Sequence, residues 1–292
     1  MDLKQLDAFV TIHQLQSFTR AGDTLGYAQS TITTQIQMLE RELEARLFER
    51  LNHRVSLTPE GKRFLPYAEQ ILRLAAEAKD VVADCETPRG VLTIGAVESL
   101  CVTRLPRLLG EYRNRYPDVE LALQFGTCGE FMQSLRANTM DLAFMLSRRI
   151  DAPDLVTVVE FPEPLVFLAA PGHPLAAGAD LDPSDLNNQA LILTEPGCSY
   201  RAMLDEIIRQ AAVKPRSILE IGNIHTIKRL TQSNLGITLL PKVAVAEELK
   251  RGSLINLNWR GPAFDLWTQV VHHKQKWLSA SLKAFLELVH TL

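Results

Sequence analysis

The apolar positions of the first ninety residues recur at helical spacing. Those of the remaining two hundred switch back and forth between strand-like and helix-like runs. In LKQLDAFVTIHQL, Leu3, Leu6, Phe9, Val10 and Leu15 mark one helix face. Ser17 is placed to cap a second short helix, FTRAGDTL, which Gly26 ends. A third helix, within YAQSTITTQIQMLERELEARLF, follows at once. Two short helices joined by a tight Gly-containing turn predict a helix-turn-helix.

The third helix raises a question of composition. Its first half is rich in Ser and Thr, which are mediocre in helix interiors. On a helical wheel Ile32, Ile36, Leu39 and Leu43 fall on one stripe, fit to pack on the first two helices. Ser30, Thr34, Gln37 and Arg41 fall opposite, with Thr33 beside them. Hydroxyls and amides can hydrogen-bond base edges and phosphates with little net charge. A solvated face that touches nothing has the same pattern. The next segment, LFERLNHRVSLT, favours the first reading. It predicts a small hairpin or wing with Arg50, His53 and Arg54 at or near its tip, where arginines can reach a phosphate or a minor groove.

Thr58-Pro59-Glu60 is a strong helix start. Beyond it Phe64, Ala68, Ile71, Ala75, Ala78, Val82 and Cys85 keep a heptad seam, interrupted by Pro66. The seam predicts a long helix that pairs with a second copy; packing on its own domain is the alternative. Cys85 reads as packing. Thr87-Pro88-Arg89-Gly90 breaks the helix.

From there the runs alternate. GVLTIGAV, VELALQF, LAFML, PLVFLAA, ALILT, GITLLP and LWTQVVH read as strands. SLCVTRLPRLLGEYRNRY, GEFMQSLRAN, YRAMLDEIIRQAA, IHTIKRLTQS and the C-terminal run read as helices. This alternation predicts an α/β domain with mostly parallel sheets. Ligands of such sheets bind beyond the carboxyl ends of strands, at helix N-termini. That rule selects Glu98–Cys101, Thr127–Cys128 and the TEPGCSYR loop with Glu195, Gly197, Cys198, Ser199 and Tyr200.

Composition adds bounds. A chain of 292 residues that is 46% apolar can fill two or more domains. The net charge of −3 excludes a polyelectrolyte, and residues 1–62 hold seven Lys/Arg against eight Asp/Glu. Any DNA contact must therefore rest on charge placement: no acidic side chain lies between Tyr27 and Leu39. The opening MDLKQLDAF does not read as a signal peptide, and no stretch of 18 apolar residues occurs. The four cysteines form no CxxC. A soluble, cytoplasmic protein without membrane contact is expected.

Residues 3–62 resemble the winged helix-turn-helix of LysR-type transcriptional regulators. The resemblance rests on Leu3, Leu6, Phe9, Ser17, Phe18, Ala21, Leu25, Gln29, Ile32, Gln35, Ile36, Leu39, Glu40, Leu43, Leu47, Phe48, Arg50, Leu57, Thr58 and Gly61. The segments LTIGAVES, LPRLLGEYRNRYPDVEL, DLAFML, FLAAPGHPLA and LGITLLP resemble the effector domain of the same family, which is similar to type 2 periplasmic solute-binding proteins. The implied fold is multidomain. A mainly α-helical winged helix-turn-helix over 1–58 and a linker and dimerisation helix over 59–87 precede an α/β effector domain over 88–292. The latter comprises two Rossmann-like subdomains, 90–161 with 267–292, and 162–266. The resemblance implies that Gln29, Ser30, Thr33, Thr34 and Gln37 face the major groove, with Arg50 and Arg54 on the wing. Many members carry Ser at the position of Ala28, Pro at Ser30 and Arg at Thr34.

The family implies operator DNA, RNA polymerase, a small-molecule effector and a homodimer or homotetramer as partners. It implies no cofactor and no resident metal. Ser99, Cys101, Thr127, Cys128, Cys198, Ser199, Tyr200 and His225 are the expected effector contacts. Hydroxyls and free amides at helix N-termini suit an anion. Buried small hydrophobes, ligand or soft-metal contacts, and a thiol switch pairing Cys198 with Cys101 or Cys128 are the readings open for the cysteines. An enzyme finds no support in a G-x-S-x-G elbow, a G-x-G-x-x-G or a P-loop, all of which are missing. A solute-binding protein would leave the N-terminal sixty residues unexplained.

Overall fold

The computed structural model describes residues 1–51, 54–82, 87–178 and 180–291. His53 and Cys85 lie outside them, as do the side chains of Arg50, Arg54 and Val82. The chain divides into two compact units, Met1–Glu86 with Ala137–Thr139, and Thr87–Arg136 with Met140–Leu292. Among the described residues no helix is long and apolar enough to cross a membrane.

The first unit runs α1 (Leu3–Leu15), α2 (Phe18–Leu25), α3 (Gln29–Glu42), β1 (Phe48–Leu51), β2 (Arg54–Leu57) and α4 (Pro59–Val82). Each boundary has a local cause. Asp2 and Gln5 form a capping box on α1, and Ser17 Oγ accepts from Arg20 N at 3.2 Å at the start of α2. A Cβ at Gly22 would lie 2.6 Å from the Tyr27 carbonyl oxygen, so glycine there lets α2 meet the start of α3. Leu6, Phe9, Ile12, Phe18, Ala21, Ile32, Ile36 and Leu39 form the core, joined by Leu47 and Phe48 of the wing. Leu3 is exposed; the buried stripe of α1 begins at Gln5 and Leu6. Glu40 Oε1 accepts from Leu47 N at 2.7 Å and Phe48 N at 3.3 Å, tying α3 to the wing. In the wing Phe48 pairs with Leu57 and Leu51 with Arg54.

The Thr58 hydroxyl accepts from Gly61 N at 2.9 Å, capping α4. The first half of the expected seam packs within its own unit. Ala68 is buried there, Phe64 and Ile71 lean on the same core, and the Phe64 ring lies 5.3 Å from that of Phe9. Tyr67 and Leu74 remain 63% and 49% exposed.

The second unit contains β3 (Gly90–Ala96), α5 (Glu98–Cys101), α6 (Leu105–Arg115), β4 (Val119–Phe125), α7 (Cys128–Arg136), β5 (Leu142–Ser147) and β6 (Leu155–Pro162). After these come β7 (Leu165–Ala169), β8 (Ala190–Leu193), α8 (Ser199–Gln210), β9 (Ser217–Glu220), α9 (Ile224–Gln232), β10 (Thr238–Pro241), α10 (Ala246–Arg251), β11 (Ile255–Leu257), β12 (Trp267–His273) and α11 (Ala280–Val289). The first sheet has the order β4-β3-β5-β12-β6. In the other half β10-β7-β11 form one sheet and β8-β9 a parallel pair, linked by a bridge between Leu191 and Ile237 just before β10. Read across that bridge, the second half repeats the first: three parallel strands, then two antiparallel ones.

The sheets are therefore mixed rather than mostly parallel. β12 and β7 each follow a crossing from the other half and run against their neighbours. The expected single helix over 99–116 is split as well. Val102–Arg104 form a turn, and Pro106, which has no N–H to donate, sits in the first turn of α6. Both crossings meet at Glu163, which is 3% exposed. Its N–H donates to Leu266 O at 2.8 Å, and its Oε2 accepts from Thr268 Oγ1 and Arg104 Nη2, each at 2.9 Å.

Candidate functional site

Two sites are built by these elements, one in each unit. In the first, burial of Ile32, Ile36 and Leu39 turns the opposite side of α3 outward. Gln29, Ser30, Thr34 and Gln37 are exposed and Thr33 is half-buried. Gln29 is held in place: its Oε1 accepts from Thr19 Oγ1 at 3.1 Å, leaving its NH2 group outward as a donor. Thr33 Oγ1 donates to Gln29 O and Thr34 Oγ1 to Ser30 O, both at 2.9 Å. Their protons are committed to the helix, so both hydroxyls meet a partner chiefly as acceptors and methyl groups. The N-cap residue Ala28 gives no side-chain bond, which leaves N–H groups of the first turn unpaired for an anion. Arg20 and Arg41 are exposed near either end of the face. In the sequence Ala28 stands out only as a departure from the Ser of many family members; its place as the N-cap, and the back-bonding of Thr33 and Thr34, come from the structure.

In the second unit a cavity of about 570 Å³ lies beyond the carboxyl ends of β3, β4, β5, β8 and β9. Ser99, Thr127, Cys128, Cys198, Ser199 and Tyr200 all line it. Cys101 and His225 do not. The half-buried Cys101 turns its thiol to Ala96 O at 3.6 Å, and His225 is exposed on α9 while its neighbour Ile224 faces inward. The Tyr200 hydroxyl is buried near Ser99, Cys198 and Thr194, and burial pushes its pKa well up. Ser199 Oγ donates to Cys128 Sγ at 3.6 Å, so the α7 and α8 termini meet across the cavity.

The charge of the lining is opposite to what an anionic ligand needs. Glu98, Glu130 and Glu195 line the cavity, and no Lys, Arg or His does. Glu98 accepts from Asn223 Nδ2 at 2.9 Å and from Ile224 N at 3.2 Å, crossing to the N-terminus of α9. Burial raises its pKa, the Ile224 N–H opposes that, and the charge of Glu195 adds to it. Glu130 accepts from Thr127 N at 2.7 Å and is held below the usual range by it. Burial raises the thiol pKa of Cys128, and that of Cys101 to about 11, which suppresses the thiolate a redox switch needs. Among the described residues no group of three or more His, Cys, Asp or Glu could hold a metal ion.

A helix-turn-helix with a polar outward face, followed by two matched α/β halves around a cavity, is the architecture of a DNA-binding regulator with a ligand-binding domain. Residues 3–62 match the bacterial regulatory helix-turn-helix protein model of the lysR family, and residues 86–292 match the LysR substrate binding domain. The chain is 36% identical over 291 residues to the uncharacterized HTH-type transcriptional regulator YwqM of Bacillus subtilis (strain 168), covering 99% of this chain and 98% of that one. Among solved structures, a full-length OxyR variant from Pseudomonas aeruginosa superposes with a TM-score of 0.74 at 23% identity, covering 99% and 95% of the two chains. Full-length CbnR in complex with its target DNA gives 0.70 at 23%, covering 100% and 99%. The chain belongs to the LysR family of transcriptional regulators.

Proposed function

We propose that this regulator reads a specific operator through α3 and is controlled by a small molecule held in the cavity of its second unit. The observation that carries the first half is the outward face of α3: an oriented Gln29, acceptor hydroxyls at Thr33 and Thr34, and an uncapped N-terminus over a buried apolar stripe. Gln29, Ser30, Thr33, Thr34 and Gln37 meet base edges and phosphates in the major groove. Arg50 and Arg54 on the wing grip the backbone. A Gln side chain can bond an adenine bidentately, and helix N-terminal amides suit phosphate. The likeness to CbnR, solved with its target DNA, supports this placement.

The second half rests on the six expected residues that share one cavity. An anionic effector would have to overcome three carboxylates there. A thiol switch is disfavoured by the raised pKa of Cys101 and Cys128. The exposed Tyr67 and Leu74 on α4 suit pairing with a second copy, giving a homodimer or homotetramer that works with RNA polymerase in the cytoplasm.

The test is a gel shift of the full chain on the DNA upstream of its own gene at two salt concentrations. A specific shift that weakens steeply with salt is expected. Equal competition by unrelated DNA would sink the reading.

A further inference from the structure

We propose that the cavity selects a ligand bearing a cationic amine, its ammonium group seated by Glu98 and Glu195 and its apolar body against Val97, Phe125 and Ile224. The inference rests on the cavity being the effector site and names the ligand class it takes.

Four observations carry it. The lining holds three carboxylates and no basic side chain. Two of the helix N-termini that a ligand anion would use are already occupied by the chain itself: Glu98 sits on that of α9 and Glu130 on that of α7. The nearby guanidinium of Arg201 is committed to Asp205 at 2.8 Å, Glu220 at 3.2 Å and Thr194 O at 2.8 Å. Third, the Glu195 carboxylate has no hydrogen bond or ion pair among the described residues. It is given room by Gly222, where a Cβ would come within 2.9 Å of Glu195 Oε2. Fourth, Thr194, 7% exposed and on the cavity wall, has a hydroxyl oxygen with no hydrogen bond of proper geometry, although the Tyr200 hydroxyl lies near.

These vacancies match one chemical group. An ammonium has three donors, one charge and no acceptor. It can bond Glu98, Glu195 and a hydroxyl oxygen together, and it relieves the repulsion between the two carboxylates. A carboxylate or phosphate brought to the same place would add to that repulsion. The N-terminus of α8 has no side-chain cap, so a zwitterion could also place its carboxylate there. The shared requirement is the amine.

Thermal unfolding of the full chain with four probes of one apolar body, at matched ionic strength, tests this. The probes are 2-phenylethylamine, phenylalanine, 3-phenylpropionate and 2-phenylethanol. The amine is expected to raise Tm, phenylalanine to do so if α8 takes the carboxylate, and the anion and alcohol to leave it unchanged. Glu195→Gln and the double variant with Glu98→Gln are expected to weaken the amine by at least about tenfold while folding normally, since each glutamine removes the charge but keeps one acceptor oxygen, at position 98 for Asn223 Nδ2 and Ile224 N. Ser199→Trp, or Thr127→Trp if that fails to fold, fills the cavity and should abolish every shift. No shift with either amine-bearing probe, or an amine shift that Glu195→Gln leaves intact, overturns the inference. A propionate shift lost only in the Trp variant also overturns it, yet keeps the cavity as the ligand site. Shifts that survive the Trp variant place binding elsewhere and overturn both readings.

Discussion

The outward face of α3 and the cavity of the second unit are both polar surfaces at helix N-termini, yet they are built in opposite ways. On α3 the N-terminus is left open, no carboxylate lies nearby in sequence, and the hydroxyls are satisfied by their own helix. In the cavity the chain fills two of its helix N-termini with its own glutamates. The first surface is prepared for a polyanion without being basic. The second is closed to one. A helix N-terminus by itself thus does not define the charge of its ligand; what the neighbouring loops place in front of it does.

The comparison can be broken at several points. The largest effect concerns what lies behind α3. Ile36→Ala opens a hole beneath the outward face of α3, where Ile36 is 2% exposed. It should cost the first unit roughly 2–5 kcal/mol in chemical denaturation and abolish DNA binding, while the transition of the second unit stays in place. A second unit that melts with the first would contradict this.

Next is Gln29→Ala, which should lose about 1–3 kcal/mol of discrimination at one base pair. Competition among operators altered one base at a time measures it. Uniform weakening at all positions would mean that Gln29 only positions the helix. Arg50→Ala and Arg54→Ala should act in the complementary way. Each should weaken all sequences alike and reduce the slope of log K against log salt by about one. An unchanged slope would remove the wing from the phosphate account.

The smallest expected effect lies in the cavity. Because the Glu98 carboxyl ionises less readily in the folded chain, folding takes up protons across the window above the ordinary glutamate range. Wild type should therefore lose stability relative to Glu98→Gln as pH rises through that window. The opposite slope would show that the Ile224 N–H outweighs burial.

Legibility followed periodicity. The helices of the first unit and the seven named strands stood out because their apolar positions repeat. The strands β6, β9 and β11 did not. β9 is exposed along its whole length and β11 has three residues, so neither carries a pattern of burial. Strand direction was also hidden, because crossings between the two halves reverse β7 and β12 without changing their composition. Six of the residues expected from loop position line the cavity. Cys101 and His225 lie off the lining: at the end of α5 the Cys101 thiol turns to Ala96 O, and His225 is exposed on α9. Glu98 and Glu195 were also selected by the strand-end rule; Glu130, which completes the three carboxylates, was not, because it lies inside α7 and not in the loop before it.

The proposed regulation depends first on sequence-specific recognition by α3. Selection of bound molecules from a pool of randomised DNA duplexes by the full chain, with sequencing, measures it in one step. An enriched two-fold symmetric motif whose bases shift in Gln29→Ala is expected. A pool that stays random after repeated rounds, or a motif unchanged by Gln29→Ala, Thr33→Ala and Gln37→Ala together, would contradict it.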